Sequence, residues 1–322
     1  MKRRGFLAAT LAVAGLAFGA PAQAESTYPD RPIKLVVPAA AGGVTDVPAR
    51  IISERMRETL KQPLVVDNRG GAGGLIGSEA VQRADPDGYT LLYANAATHG
   101  LLPALKKTMP YDPLADFAPI GLAVRAPMAI VVRKDSPFHT MDDFIKGASK
   151  LGRPINYGSP GPGNTSHLVG LILSQASNTP MAAVHYRGEA PMIQDLLGGT
   201  IDFVASNVIA PHVQSGALRV LATTGDKRWF LFPDVPTLKE LGHNAEFYAW
   251  SGFFAPAKTP QPIIDKVNAS MNAALEQPEV RKALMATGLE VIGGKPQVLT
   301  DMMRSYIGAT REIGRQNNIV LE

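Results

Sequence analysis

Six histidines, His99, His139, His167, His185, His212 and His243, are the first residues to test for chemistry, and none pairs at metal-ligand spacing. Each reads as a surface or locally hydrogen-bonded side chain. The chain has no cysteine, which removes thiol catalysis and thiolate metal sites. The nearest approach to a nucleophile elbow, Tyr157-Gly158-Ser159-Pro160-Gly161, lacks the first glycine. Ser166 and His167 are adjacent on a predicted helix and point to different faces, a poor arrangement for nucleophile and base. A serine hydrolase using Ser159 or Ser166 with His167 is therefore a remote alternative. Gly293-Gly294-Lys295 is followed by Pro296 and has Leu289 where a P-loop needs glycine, and Gly71, Gly73 and Gly77 miss the dinucleotide spacing by one residue. No cofactor and no metal are expected.

The remaining inventory suits binding. Gly42 and Gly43 precede a helix start at Thr45 or Asp46, and Gly161, Gly163 and Asn164 precede another at Thr165. Glycine lets the backbone approach a ligand closely. The first N–H groups of a helix have no intrahelical partner and lie at the positive end of its dipole, which makes them an anion site. Ser159, Thr165 and Ser166 add hydroxyl donors. Two such loops facing one cleft would suit a molecule with one or two carboxylates, with Arg187 as an optional clamp; the bland alternative is a pair of tight strand-to-helix turns. Asp46 reads first as a helix cap. Trp250 and Phe253 read as core, or as cleft walls near a hinge.

These loops need elements to hold them. Ile33–Val37, Leu64–Val66 and Tyr89–Tyr93 read as strands alternating with helices up to Lys61 and over Leu75–Ala84. The theme returns with strands at Pro119–Val124, Met128–Val132, Ile155–Tyr157, Ala182–Tyr186, Ile201–Ala205 and Val220–Thr223. Helices are predicted at Met141–Leu151, Thr165–Ser177 and Ala190–Leu197, and the chain from Pro262 on is helix-rich. This alternation predicts α/β units with mostly parallel sheets, and ligands favour the carboxyl ends of such strands. Crossings between two units are expected near Val124–Met128 and Tyr248–Phe253, with the C-terminal helices returning to the first unit.

The 322 residues carry 32 Lys and Arg against 28 Asp and Glu, a formal net charge of +4. Lys2, Arg3 and Arg4 precede an apolar run, Phe6–Phe18, and an Ala22-Gln23-Ala24 cleavage pattern. Residues 1–24 thus read as an export signal for the Sec or twin-arginine route. Without those three, 29 of the 32 basic residues face 28 acidic ones, too even a balance for phosphate-backbone binding, so no nucleic-acid partner is expected. The remaining length, about 298 residues, favours two domains.

Several segments together carry a resemblance. They are Tyr28-Pro29-Asp30-Arg31-Pro32-Ile33, Val37 to Asp46, Asn68-Arg69-Gly70-Gly71-Ala72-Gly73-Gly74, Ala84 to Leu92, Gly158-Ser159 to Leu168, Tyr186-Arg187-Gly188-Glu189-Ala190-Pro191, Asp195 to Gly199 with Asp202, Pro233-Asp234-Val235-Pro236-Thr237, and Trp250-Ser251-Gly252 to Pro256. In this order they resemble the Bug family, periplasmic solute-binding proteins of tripartite tricarboxylate transporters. The resemblance implies a two-domain, type II-like α/β binding protein, with residues 25–125 and 249–322 in one domain and 126–248 in the other. It implies a monomer that closes by hinge motion on a small carboxylate and delivers it to membrane permease subunits. A sensory co-receptor presenting the ligand to a membrane kinase shares the same site. The ligand is implied between Pro38–Asp46 and Ser159–Thr165, held largely by main-chain groups. The candidate contacts are Pro38, Ala39, Ala41, Gly42, Gly43, Thr45, Asp46 and Asn95, then Ser159, Gly161, Gly163, Asn164 and Thr165, then Tyr186, Arg187, Ser206 and Asn207. Ala39 stands where the family usually has an aromatic, which would widen the pocket for a bulky or aromatic acid. Leu171 and Ser206 stand where relatives often have acids, and Ser206 beside Asn207 would make the wall less negative, which would suit an anion or a neutral polar group.

Overall fold

The computed structural model describes residues 28–243 and 245–322; the expected export signal lies outside them. The chain begins with β1 (Ile33–Val37), α1 (Asp46–Leu60), β2 (Leu64–Asn68), α2 (Leu75–Gln82), β3 (Thr90–Asn95), a π-helical turn at Ala97–Leu101 continued by α3 (Leu102–Leu105), and β4 (Phe117–Pro127). It continues through β5 (Ala129–Arg133), α4 (Met141–Gly147), β6 (Ile155–Ser159), α5 (Thr165–Ser177), β7 (Met181–His185), α6 (Glu189–Gly198), β8 (Phe203–Ser206), α7 (Ala210–Gln214) and β9 (Leu218–Thr223). The last elements are β10 (Tyr248–Pro256), α8 (Gln261–Glu276), α9 (Pro278–Ala286), β11 (Glu290–Val291) and α10 (Pro296–Gln316).

The strands form two sheets, β11-β4-β10-β3-β1-β2 and β7-β6-β8-β5-β9. The two helix-flanked sheets match the predicted two-unit α/β architecture, but the sheets are mixed rather than mostly parallel. Among the strands of the described residues, only β1 with β2 and β3, and β6 with β7 and β8, pair in parallel. The antiparallel share comes from the strands next to the chain crossings: β10 joins β3 to β4, and β5 joins β8 to β9. The segment expected as a crossing at Tyr248–Phe253 is itself a strand inside the first sheet, and the chain changes sheets between Pro127 and Ala129. The apolar run Trp250 to Pro256, broken by Ser251 and Gly252, lacks the alternation that marks a half-buried strand, because both of its faces are covered.

Packing follows the apolar periods. Ala49, Ile52, Met56 and Leu60 form the buried stripe of α1, in one core cluster with Leu35 of β1, Leu91 of β3 and Val267 and Met271 of α8, and full burial of a side chain such as Ile52, Met56 or Leu60 stabilises by about 1.5–3 kcal/mol. On α10 the stripe is Leu299, Met303, Tyr306, Ile307 and Thr310, with Pro296 at the first turn where its missing N–H is harmless. Helix α5 lies on β6 where Gly170 meets the Tyr157 ring; a Cβ at Gly170 would overlap that ring. The largest fully buried side chain, Trp229, donates its indole N–H to Gly288 O at 3.0 Å.

Candidate functional site

Parallel pairing brings the carboxyl ends of β1, β2 and β3 to one edge of the first sheet: Val37 pairs with Asn68, and β3 ends at Asn95. In the second sheet β6, β7 and β8 likewise end together, at Ser159, His185 and Ser206. The loops that follow these ends line a single cavity of about 340 Å³. From the first sheet come Gly42, Gly43, Val44 and Thr45 after β1, and Asn95, Ala96 and Ala97 at the end of β3. From the second come Asn164 and Thr165 after β6, Glu189 after β7, and Asn207 and Val208 after β8. Val124, Met128, Ala249, Trp250 and Ser251, from the segments that join the sheets, form part of the wall.

The first loop turns at Gly42, whose φ of +75° suits glycine. Its N–H donates to Asp46 Oδ2 at 2.8 Å. Asp46 also accepts Arg50 Nε at 2.8 Å and Asn68 Nδ2 at 2.8 Å. Burial alone would raise the Asp46 carboxyl, but the bonds from Arg50, Gly42 and Asn68 outweigh it and hold the carboxyl below its usual range. Asp46 is therefore the clasp of the loop; Thr45 occupies the cap position with no side-chain capping bond. Gly43 donates to Ala40 O at 3.3 Å. In the second loop Gly161 donates to Ser159 Oγ at 3.2 Å and Gly163 to His167 Nδ1 at 3.0 Å. A Cβ on Gly163 would lie 2.9 Å from Leu105 and from Leu321, so its close approach is to protein. Thus the four glycine N–H groups that the sequence offers to a ligand are engaged within their own loops.

The polar groups facing the cavity are then side chains. Asn95 is fixed as a cap: its Oδ1 accepts Ala97 N–H at 3.0 Å and its Nδ2 donates to Thr45 Oγ1 at 3.0 Å. That leaves the Thr45 hydroxyl proton free to donate. Asn164 caps α5 by accepting Ser166 N–H at 3.0 Å. Thr165 Oγ1 shares a hydrogen bond with Tyr306 OH at 2.9 Å. Trp250 lines the cavity, and its Nε1 is buried with no hydrogen-bond partner among the described residues. Phe253 instead packs in the core against Tyr93, ring centroids 4.8 Å apart.

Other nominated residues lie outside the lining. Pro38 is buried at the end of β1, Ala39 packs on the core behind it, and Ala41 is exposed. Ala39 therefore does not shape this cavity. Tyr186 donates to Asp195 Oδ2 at 2.8 Å, and Arg187 is exposed. Ser206 is fully buried and donates to Glu189 Oε2 at 2.8 Å. Glu189 is not among the sequence candidates because an acid argues against an anion site; its signals are its place after a glycine at the start of a helix and within the Tyr186–Pro191 segment. Val44, which lies between two candidate residues of the first loop, also lines the cavity, as do Val47, Pro48, Leu101, Thr287 and Leu289, which carry no signal of their own because they meet only through tertiary packing. The serine–histidine pairs are not assembled: Ser159 Oγ donates to Gly161 O at 2.7 Å, Ser166 Oγ donates to Ala205 O at 2.6 Å, and His167 Nδ1 accepts Gly163.

Comparison with known proteins places this geometry in a family. The family model described as tripartite tricarboxylate transporter family receptor matches residues 48–318. The chain is similar to the protein BugT of Bordetella pertussis, 33% identical over 315 residues that cover 94% of this chain and 95% of that one. It is similar in structure to MatC from Rhodopseudomonas palustris with bound malate, at 32% identity and a TM-score of 0.75, covering 89% of this chain and 99% of that one. It also resembles R. palustris Rpa4515 with adipate, at 32% identity and a TM-score of 0.79, covering 91% and 99% of the two chains. The chain belongs to the tripartite tricarboxylate transporter receptor family, which the motif order in its sequence resembles and its two-sheet fold shares.

Proposed function

We propose that this protein is a periplasmic solute-binding receptor that captures a small carboxylate between its two sheets and delivers it to the membrane subunits of a tripartite tricarboxylate-type transporter. The observation that carries this is the convergence of Thr45, Asn95, Asn164, Thr165 and Asn207, each at or just after the carboxyl end of a parallel strand, on one cavity. Hydrogen bonds to a charged group contribute about 1.5–3 kcal/mol each, so a few such donors reach micromolar affinity after ordering costs. The relatives with bound malate and adipate support the ligand class. The chain passes between the sheets at Pro127–Ala129 and again between Thr223 and Tyr248, and these crossings serve as the hinge about which one sheet with its helices moves against the other.

The test is a thermal-shift panel of mono-, di- and tricarboxylates, aromatic acids included, on the chain from Glu25 onward. A ligand at about 100 times its Kd adds about 2.7 kcal/mol of stability. At least one acid is expected to raise Tm and to shrink the radius of gyration in solution scattering. A panel that moves neither quantity overturns the reading.

A further inference from the structure

Glu189 is the one ionisable side chain in the cavity wall among the described residues. It opens α6, and its Oε2 accepts the Ser206 hydroxyl at 2.8 Å. Ser206 cannot turn away easily, because its oxygen accepts Val208 N–H at 3.2 Å. The proton of Ser206 is thus committed to Glu189, and the carboxylate is presented as an acceptor. No lysine, arginine or histidine lines the cavity among the described residues, and much of the wall is aliphatic: Val44, Val47, Pro48, Leu101, Val124 and Leu289. Burial raises the Glu189 carboxyl above its usual range, partly offset by the Ser206 bond. A carboxylate so placed lacks a counter-charge from the protein. The complement is a donor on the ligand, and a second ligand carboxylate meets like-charge repulsion from Glu189 with no cation in the wall to offset it.

We propose that Glu189 selects the far end of the ligand, so that the cavity takes a carboxylate whose other end carries a hydrogen-bond donor, an ammonium or a hydroxyl, and discriminates against a second ionised carboxylate. This rests on the carboxylate-receptor reading and sharpens its substrate class. It expects adipate, a ligand with an acid at each end that is bound by one structural relative, to be disfavoured here. Thr45, Asn95, Asn164 and Thr165 are left to the carboxylate, and Glu189 with Asn207 to the donor.

Calorimetric titration with length-matched probes tests it. The pairs are 4-aminobutanoate with succinate and 6-aminohexanoate with adipate, with 6-hydroxyhexanoate to separate charge from donation, together with the tightest acid of the panel above and its analogue lacking the donor. The unaltered protein is expected to prefer the donor-bearing member by at least about tenfold, the size of one hydrogen bond to a charged group. Glu189→Gln is expected to erase or reverse that preference. A merely structural Glu189 would weaken both members alike and leave their ratio unchanged, which overturns the proposal. So does an unaltered protein that binds the diacid as tightly as its partner, a result that needs no variant to fold. A panel hit with no donor beyond its acid group overturns the proposal while leaving the receptor reading standing; no acid binding at all overturns both.

Discussion

Gly163 N–H donates to His167 Nδ1 across 3.0 Å, so the second site loop is held by an imidazole that must stay unprotonated on that nitrogen. Burial lowers the His167 pKa to about 4, helped by His185, whose ring centroid lies 5.2 Å away. Between about pH 4 and the unfolded value near 6.5, the folded protein binds fewer protons than the unfolded chain at this site. Stability therefore rises with pH across that window and is lost as pH falls through it. Buried His99, lowered to about 3 by desolvation, extends the loss further down. The expected outcome is a Tm that falls from pH 7.5 to pH 4.5, with a shallower fall in His167→Gln; equal slopes in the two proteins would refute the role of His167. Asp46 acts with the same sign lower on the pH scale: its lowered pKa keeps its contribution intact above about pH 4, and acid removes it below that. Asp46→Ala leaves the Gly42 N–H without its acceptor, unpairs Arg50 and removes one of the two acceptors of the Asn68 amide, whose other is Ala39 O. The expected cost is about 2–4 kcal/mol in urea denaturation. The residue types at these loops were legible in the sequence. Which atoms they bond was not, because a glycine N–H has the same sequence signature whether it faces a ligand or its own loop.

Helix α5 carries Asn164 and Thr165 to the cavity, and its seat on the sheet is the contact of Gly170 with the fully buried Tyr157. Alanine is a better helix former than glycine by about 1 kcal/mol, which favours Gly170→Ala. Overpacking against the ring costs about 1–3 kcal/mol and moves the helix. The second effect wins because Tyr157 has nowhere to retreat: its ring stacks on Phe203 with centroids 5.3 Å apart. Gly170→Ala is thus expected to lower stability by about 1 kcal/mol and to weaken ligand binding, as read by denaturation and titration. A neutral or stabilised variant would show that α5 can shift freely. Strong apolar periods made α1, α5, α8 and α10 readable from sequence, as did the short runs of β1, β2 and β3. Strand β10 was not, since a strand covered on both faces shows no alternation, and the two-residue β11 is defined only by its pairing with β4.

At the scale of the molecule, the two sheets are joined by laced crossings and by side-chain bridges. Pro127 pairs with Tyr248, and Thr224 exchanges bonds of 2.9 Å with Met128 while accepting Phe247 N–H at 3.1 Å. Arg125, on β4, bonds Glu290 at 3.0 Å and Asp226 at 3.1 Å, and its guanidinium lies 4.0 Å from the centre of the Tyr248 ring. On the far side, Tyr306 of α10 meets Thr165 of α5. Tyr306→Phe removes that bond and leaves the buried Thr165 hydroxyl without its partner, a loss of about 1 kcal/mol. Unfolding is expected to remain a single transition, because the crossings at Thr224 still couple the halves; separate transitions for the two halves would count against that coupling.

The sequence by itself determined the export signal expectation, the two-unit α/β plan, the family resemblance and the loops where polar groups gather. These depend on local chemistry: apolar period, turn residues and motif order. Only the tertiary structure decided that the glycine N–H groups are engaged within their loops, that Trp250 lines the cavity while Phe253 packs in the core, and that Glu189 stands in the wall. The first depends on the backbone path of each loop, which sets bonds to partners within four residues, and the others on which segments distant in sequence pack together; neither the path nor the packing is fixed by residue type alone.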